Sequence, residues 1–332
     1  MDKQSLEDAF YSKPFIYSYS SINKLLFNPK LFYSYYILGQ KEDKVESYLV
    51  EGQLTHCLLL ENTQFNNRYV VSPSVVPSEN VKSIVDEVYK IYLNDYPNDE
   101  VTLRNELSEY DSEILSLMDE QDFYLKIIDK DKRVSKVTST GTEYFNFLKE
   151  ASGKILIDSN IYNKCLDNVE LIKEDKCYKE YLGLSMDSDR DHVYNELALE
   201  YYDSDLDINL KGFVDNVSID MKNKVIYIND LKTSSKTLSD FPDTVEYYNY
   251  WIQACIYYRL VVDHFKIEDD WTCKFTFIVI DAYGQVYPFE VSENTMVEWQ
   301  IRFQDILHIV KYHYNNKEYK LPHKFLTSKI LL

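Results

Sequence analysis

The feature that most constrains the fold is a change of hydrophobic pattern after Asp191. Residues 193–202, 210–219 and 224–231 alternate or run apolar with Val, Ile and Tyr, the signature of strands. The polar turn Met221-Lys222-Asn223-Lys224 makes the second and third of these a hairpin. A long helix follows from about Thr244 to Phe265, and residues 272–281 and 285–290 form another hairpin around Gly284. Ser292 caps a last helix carrying Met296, Val297, Ile301, Ile306, Leu307 and Val310. Three strands, a helix, two strands and a helix predict the α/β class, with a mixed central sheet flanked by helices.

Upstream the pattern is helical. Ser20 or Ser21 is placed to cap a segment with Ile22, Leu25, Leu26 and Phe32, and Pro29 marks a break between two helices. A further helix runs from about Ser47 to Leu60, with Tyr48, Leu49, Leu54, Leu58 and Leu59 as its apolar positions. Residues 76–175 are mostly charged and helix-prone, acidic from Asn98 to Asp122, with Gly141 and Gly153 as punctuation. The expected division is a helical N-terminal part over 1–75, a helical insertion over 76–190, a sheet-bearing core over 191–315 and a basic tail over 316–332.

Composition narrows the function. The 332 residues hold 36 Lys and Arg against 55 Asp and Glu, a net charge of −19. That acidity counts against a nucleic-acid partner, because phosphate binding needs local positive charge. It does not exclude one, since a metal-dependent nuclease collects carboxylates at its reaction centre and can confine its basic residues to one track. The five cysteines (Cys57, Cys165, Cys177, Cys255, Cys273) are scattered with no CxxC pair, which argues against a zinc ribbon, an iron–sulfur site or a disulfide framework. With seven glycines and neither a P-loop nor a GxGxxG turn, a nucleotide-driven motor or a Rossmann enzyme is disfavoured. No stretch approaches the roughly 18 apolar residues of a membrane span. The opening MDKQSLEDAF lacks the apolar run of a signal peptide, so no membrane and a cytoplasmic location are expected.

The densest chemistry lies on the central hairpin. Lys211-Gly212-Phe213-Val214-Asp215 ends in a carboxylate, and Asp230-Leu231-Lys232-Thr233 follows on the next strand. Period-two geometry points Asp230 and Lys232 to one face, where the hairpin can bring Asp215 close. Two carboxylates about 5 Å apart at an effective dielectric near 20 repel by roughly 3 kcal/mol. A divalent cation turns that repulsion into a binding site, and Mg²⁺ suits one or two carboxylates plus substrate phosphate. The ion stabilises charge at phosphorus and acidifies a bound water, while Lys232 orients that water or neutralises developing charge. A surface Asp–Lys pair at a strand end is the plainer reading, because DxK recurs by chance.

Other residues extend the constellation. Gln253 and Tyr257 are four apart and share a helix face with Asn249, opposite a core face of Tyr248, Trp251, Ile252, Cys255 and Val262. Gly52-Gln53-Leu54-Thr55-His56 puts a histidine on an amphipathic helix. For nucleic acid, the candidates are Lys222, Lys224 and Lys236 near the hairpin and Lys311, Lys317, Lys320, Lys324 and Lys329 in the tail. The tail interleaves its lysines with Tyr312, Tyr314, Tyr319 and Phe325, which suits a single strand through neutralisation and stacking; a solvated extension is the alternative.

GxxxH at 52–56, a strand with Glu196, GFVD at 212–215, DLKT at 230–233 and QxxxY at 253–257 stand in an order that resembles the RecB-type branch of the PD-(D/E)XK nucleases. The front segment Ser20-Ser21-Ile22-Asn23-Lys24-Leu25, then Asn28-Pro29, then GQLTHCLLLE, is similar to the phage exonuclease VIII (RecE-type) group. The resemblance spans about residues 18–60 and 190–265. It implies a restriction-endonuclease-like fold in which His56, Asp215, Asp230 and the Leu231 carbonyl hold Mg²⁺, with Mn²⁺ as a substitute. Glu196 would be an outer carboxylate, with Glu200 its rival an even number of residues along one strand face. Lys232 would be the catalytic lysine, and Gln253 and Tyr257 would touch the metal shell or the DNA backbone. Some relatives hold an iron–sulfur cluster; the scattered cysteines here depart from that pattern.

The resemblance implies a Mg²⁺-dependent deoxyribonuclease, resecting double-stranded DNA ends in phage recombination beside a single-strand annealing protein, in the host cytoplasm. A structure-specific or nicking endonuclease stays open. So does a non-catalytic DNA mimic or assembly protein using the acidic insertion. Polarity, processivity, metal count and whether the chain forms a homo-oligomer are left open by the sequence.

Overall fold

A computed structural model describes residues 3–40, 47–73, 77–95, 104–151 and 153–329. It divides into two compact units, Met1–Glu61 with Cys165–Leu332, and Asn62–Lys164. In chain order the strands are β1 (Ile16–Tyr17), β2 (Tyr69–Val71), β3 (Ile155–Ile157), β4 (His192–Asp203), β5 (Ile208–Asp220), β6 (Val225–Thr233), β7 (Thr272–Ile280) and β8 (Val286–Val291).

The first unit is a mixed α/β structure around a six-stranded sheet, ordered β1-β5-β6-β7-β8 with β4 also paired to β5. The β4/β5, β5/β6 and β7/β8 pairs are antiparallel, and β6/β7 is parallel. A parallel pair needs a crossover. Helices Phe241–Tyr247 and Tyr250–Phe265 supply it. Ile226, Ile228, Phe275, Phe277 and Val279 share one core with Ile252, Cys255, Ile256 and Leu260 of the second of these helices. A second cluster joins Leu231, Ile278 and Ile280 to Ile172, Cys177 and Leu182. Each of the Leu, Ile, Val and Phe side chains among these contributes about 1.5–3 kcal/mol on burial. Residues in 165–190, assigned by composition to the insertion, thus build the first unit's core.

Several local expectations are corrected. The first helix after β1, Tyr19–Phe27, is capped by Ser18 rather than Ser20 or Ser21: the Ser18 hydroxyl accepts from the Ser21 N–H, and Ser21 Oγ accepts from the Ser18 N–H at 2.8 Å. The break at Pro29 is present, with Asn28 capping the short helix Pro29–Phe32. The helix expected over 244–265 is two helices, because Asn249 adopts a left-handed conformation at φ 57°. Tyr248, expected in the core, is consequently exposed. On the last helix, Glu293–Asn316, Ser292 is the cap, but Val297 and Ile301 face solvent while Met296, Phe303, Leu307 and Val310 are buried. The tail is not a free extension over its described part, for Tyr319 is buried and stacked on Phe32 at 5.6 Å.

The second unit packs helices Glu79–Asp95, Asp111–Glu120 and Lys130–Ala151 around Val81, Ile84, Val88, Ile114, Met118, Val137 and Phe145, beside the parallel pair β2/β3. Gly141 lies inside the third helix rather than ending it; a Cβ there would fall 2.8 Å from Val85 Cγ2, so its bareness permits close helix packing. Among the described residues no helix is long and apolar enough to cross a membrane.

Candidate active site

The site forms where the ladder opens. Strands β5 and β6 pair from Asp220↔Val225 only as far as Asn216↔Asn229. Beyond that point β6 continues on β7 to Thr233↔Ile280, while β5 continues on β4. Asp215 and Asp230 are the first residues past the fork. Leu231 has no strand partner on that edge, so its backbone groups must be satisfied otherwise. Its N–H donates to Asp215 Oδ2 at 2.8 Å, and its carbonyl accepts from His56 Nε2 at 2.8 Å. His56 comes from helix Ser47–Leu60. One turn earlier, a Cβ at Gly52 would lie 3.3 Å from Thr233 Oγ1, so the glycine of GxxxH lets this helix lie against the end of β6.

The carbonyl can only accept, so Nε2 carries a proton whether the ring is charged or neutral, and Nδ1 is turned toward two carboxylates. Nδ1 is 3.5 Å from Asp215 Oδ2 and 3.7 Å from Glu196 Oε1. One potential ligand atom from each of His56, Glu196 and Asp215 lies within 4.8 Å of the others. Glu196 reaches this position through an unusual backbone, at φ 48° within β4. Its neighbours pair as Asn195↔Asn216 and Leu197↔Val214. The alternation shifts there: Leu210 and Val214 before Asp215, and Val217 and Ile219 after it, all join one core although odd numbers of residues separate the two sets. Glu200, the rival carboxylate, pairs across the ladder with Lys211 and is exposed, outside the cluster.

Asp230 is fully buried, its Oδ2 2.6 Å from Lys232 Nζ. Asp230 Oδ1 is buried with no hydrogen-bond partner among the described residues. Lys232 also donates to Gln253 Oε1 at 3.0 Å, Gln253 Nε2 donates to the Tyr257 hydroxyl at 2.9 Å, and the ammonium lies 4.7 Å from the Tyr250 ring centroid. Helix Tyr250–Phe265 comes this close because β5 carries Gly212; a Cβ there would meet Tyr257 Cε1 at 2.9 Å. The expected QxxxY pair therefore braces the lysine, while Asn249 lies outside the helix and Tyr250 is a contact the sequence reading missed.

Burial alone would lower the His56 pKa, but Asp215 and then Glu196 overcome it and raise it to about 9. Burial raises Asp230 to about 6; Lys232 opposes the shift and Asp215 adds to it. Asp215 is also raised, first by burial. For Lys232, burial acts downward, but Asp230 and Asp215 hold its pKa above the ordinary value. Burial thus holds both aspartates above the ordinary carboxylate value even with His56 and Lys232 acting to lower them. Glu196 and Asp215 offer the oxygen donors that Mg²⁺ or Mn²⁺ takes, and His56 adds a nitrogen donor that suits a transition ion better than Mg²⁺; Asp230, expected as a ligand, lies outside this three-residue group and faces Lys232. The Leu231 carbonyl, a ligand by resemblance, here accepts from His56 and orients the ring.

Each carboxylate has an asparagine beside it in sequence: Asn195-Glu196, Asp215-Asn216 and Asn229-Asp230. These amides form a ladder. Asn229 Nδ2 donates to Asn216 Oδ1 and Asn216 Nδ2 to Asn195 Oδ1, both at 2.8 Å. Asn195 Nδ2 continues to the Leu60 carbonyl at 3.1 Å. Sequence reading missed it, although the recurring Asn–acid dipeptide was its visible sign.

The basic residues do not join this centre. Lys224 pairs with Asp270, Lys311 reaches the Leu206 carbonyl, Lys317 lies 4.4 Å from the Tyr11 ring centroid and Lys324 lies 5.0 Å from that of Phe325. Lys222, Lys236 and Lys320 are exposed.

No family model and no curated protein matches the chain. Among solved structures it is similar to a "Putative exonuclease" from Eubacterium rectale, with a TM-score of 0.41 and 13% identity over 99% of this chain and 96% of that one. At that level of likeness, function has to be read from the geometry of the site.

Proposed function

We propose that the chain is a metal-dependent deoxyribonuclease of the restriction-endonuclease-like type, acting as an exonuclease on ends of duplex DNA. The observation that carries this reading is the convergence of His56, Glu196 and Asp215 at the fork, with the Asp230–Lys232 pair beside them. His56, Glu196 and Asp215 would hold Mg²⁺ or Mn²⁺, with Asp230 Oδ1 as a further oxygen. The ion supplies charge stabilisation at phosphorus and a lowered pKa for its water. His56, fixed through Nε2, keeps Nδ1 aimed at the carboxylates. Lys232, held protonated by Asp230 and steered by Gln253, neutralises charge on the phosphoryl oxygens or orients the attacking water. The biological setting proposed, from the motif order alone, is end resection in phage recombination beside a single-strand annealing protein.

The test is nucleotide release from linear duplex with Mg²⁺. Lys232→Ala is expected to lose on the order of 10²–10⁴-fold in rate. Activity surviving in that variant would show that the centre is wrongly assigned. A covalently closed circular plasmid should stay intact; its cleavage would replace exonuclease by endonuclease action.

A further inference from the structure

The helix break at Asn249 needs an explanation. An uninterrupted helix would satisfy its own backbone, whereas here Asn249 takes a left-handed conformation, one that asparagine tolerates and most residues avoid. The corner is fastened from helix Tyr19–Phe27. The Tyr248 carbonyl accepts from the Tyr19 hydroxyl at 2.5 Å and from Asn23 Nδ2 at 3.2 Å, and Asn249 Nδ2 donates to Asn23 Oδ1 at 2.8 Å. The main chain at residue 248 is thus pinned while its ring is left outside. Tyr248 is 44% exposed and Tyr247 is 77% exposed, although both adjoin a buried helix.

The exposed rings are continuous with the reaction centre. Tyr247 meets Tyr248 edge-to-face at 4.8 Å, Tyr248 stacks on Tyr250 at 5.6 Å and 28°, and Tyr250 carries the Lys232 ammonium over its ring. An aromatic path therefore leads from the amine to solvent. The chain is strongly acidic and the lysines at the site are few, so phosphate neutralisation alone is a poor means of holding a strand. Stacking needs no charge and accepts any base.

We propose that Tyr248, flanked by Tyr247, is a stacking platform for the nucleobase next to the phosphate that Lys232 engages, and so a positioning residue for the DNA end. This rests on the nuclease reading above. The platform would hold a base turned out of the duplex, which makes the preferred substrate an end that frays or carries a short single strand.

The experiment uses the full chain without metal and a short duplex carrying 2-aminopurine at its terminal position, with binding followed by anisotropy. Wild type should quench the fluorescence on binding, Tyr248→Phe should quench as wild type, and Tyr248→Ala should not. With Mg²⁺, Tyr248→Ala should raise KM about tenfold while kcat stays within about threefold. Because residue 248 is fastened through its carbonyl, alanine leaves those bonds available. Tyr247→Ala, at the more exposed position, serves as the second variant and should lose part of the quenching. Wild-type quenching and KM in both alanine variants would overturn the platform and leave the nuclease intact. Failure of wild type to bind or cut DNA at all would overturn both.

Discussion

Asn229 Nδ2 donates to Asn216 Oδ1 at 2.8 Å, one residue away from Asp230 and Asp215 on their respective strands. Adjacent residues of a strand point to opposite faces, so the amides lie behind the carboxylates. A slip of one residue would exchange amide and acid, leaving buried charge where Asn216 and Asn229 now meet the carbonyls of Leu182 and Tyr181. The ladder therefore sets the register that lets the acids converge.

Asn216→Ala should cost about 1–3 kcal/mol, because Asn195 and Asn229 lose partners in a buried setting. It should also weaken Mg²⁺ binding, since Asp215 sits next to the lost amide. Denaturant unfolding and calorimetric titration read the two effects. Unchanged Mg²⁺ affinity would limit the ladder to a purely stabilising role.

Asp230→Asn should stabilise the metal-free chain at pH 8. The Asp230 pKa is raised to about 6 by burial, so the folded state binds the proton more tightly than the unfolded chain does. The associated stability is full below the ordinary value near 3.8 and is lost as pH rises through about 6. The asparagine escapes that loss, a gain of about 3 kcal/mol at pH 8 that falls away below about pH 4. Excess Mg²⁺ should raise the wild-type melting temperature more than that of the variant; equal shifts would remove Asp230 from the ion's surroundings.

Metal uptake should expel a proton at pH 7.5. With its pKa at about 9, His56 is charged in the metal-free chain, and ligation requires the neutral ring. Apparent affinity should climb with pH until about 9 and then level off. His56 correspondingly steadies the metal-free fold fully below about 6.5, a contribution lost as pH passes about 9. Titrations in two buffers of different protonation enthalpy count the proton, and a count of zero would contradict this assignment.

Gly212→Ala should damage activity from behind the helix. Its methyl would sit 2.9 Å from Tyr257 Cε1 and 3.0 Å from Leu260 Cδ1. Overpacking of this kind costs about 1–3 kcal/mol. Displacing Tyr257 should also loosen Gln253 and hence Lys232, lowering kcat. A variant with wild-type turnover would show that the lysine does not depend on this bracing.

The strands and the Asp230–Lys232 pair were legible because they rest on short-range periodicity, whereas His56 and Glu196 were singled out by the order of the motifs. Val, Ile and Tyr alternation located the strands, and Asp230 with Lys232 needed only the i, i+2 rule. The His56 contact to Leu231 was not legible, since it depends on where the β5/β6 ladder ends. Glu196 and Glu200 could not be separated by parity, because parity assumes extended backbone and Glu196 is left-handed. Asn249 sits within an apolar helical pattern and carries no strong stop signal. The lysine-rich tail suggested a strand-binding arm, but burial of Tyr319 depends on Phe32, far away in sequence.

A glutamate confined to φ 48° is under continuous pressure to be replaced. Glycine would relieve the backbone by about 1 kcal/mol and would preserve the neighbouring pairings. A lineage that had abandoned chemistry at the fork could accept that exchange freely. On the proposed function, only a use for the carboxylate opposes it, so position 196 would gauge whether a homologous chain keeps the chemistry proposed at the fork.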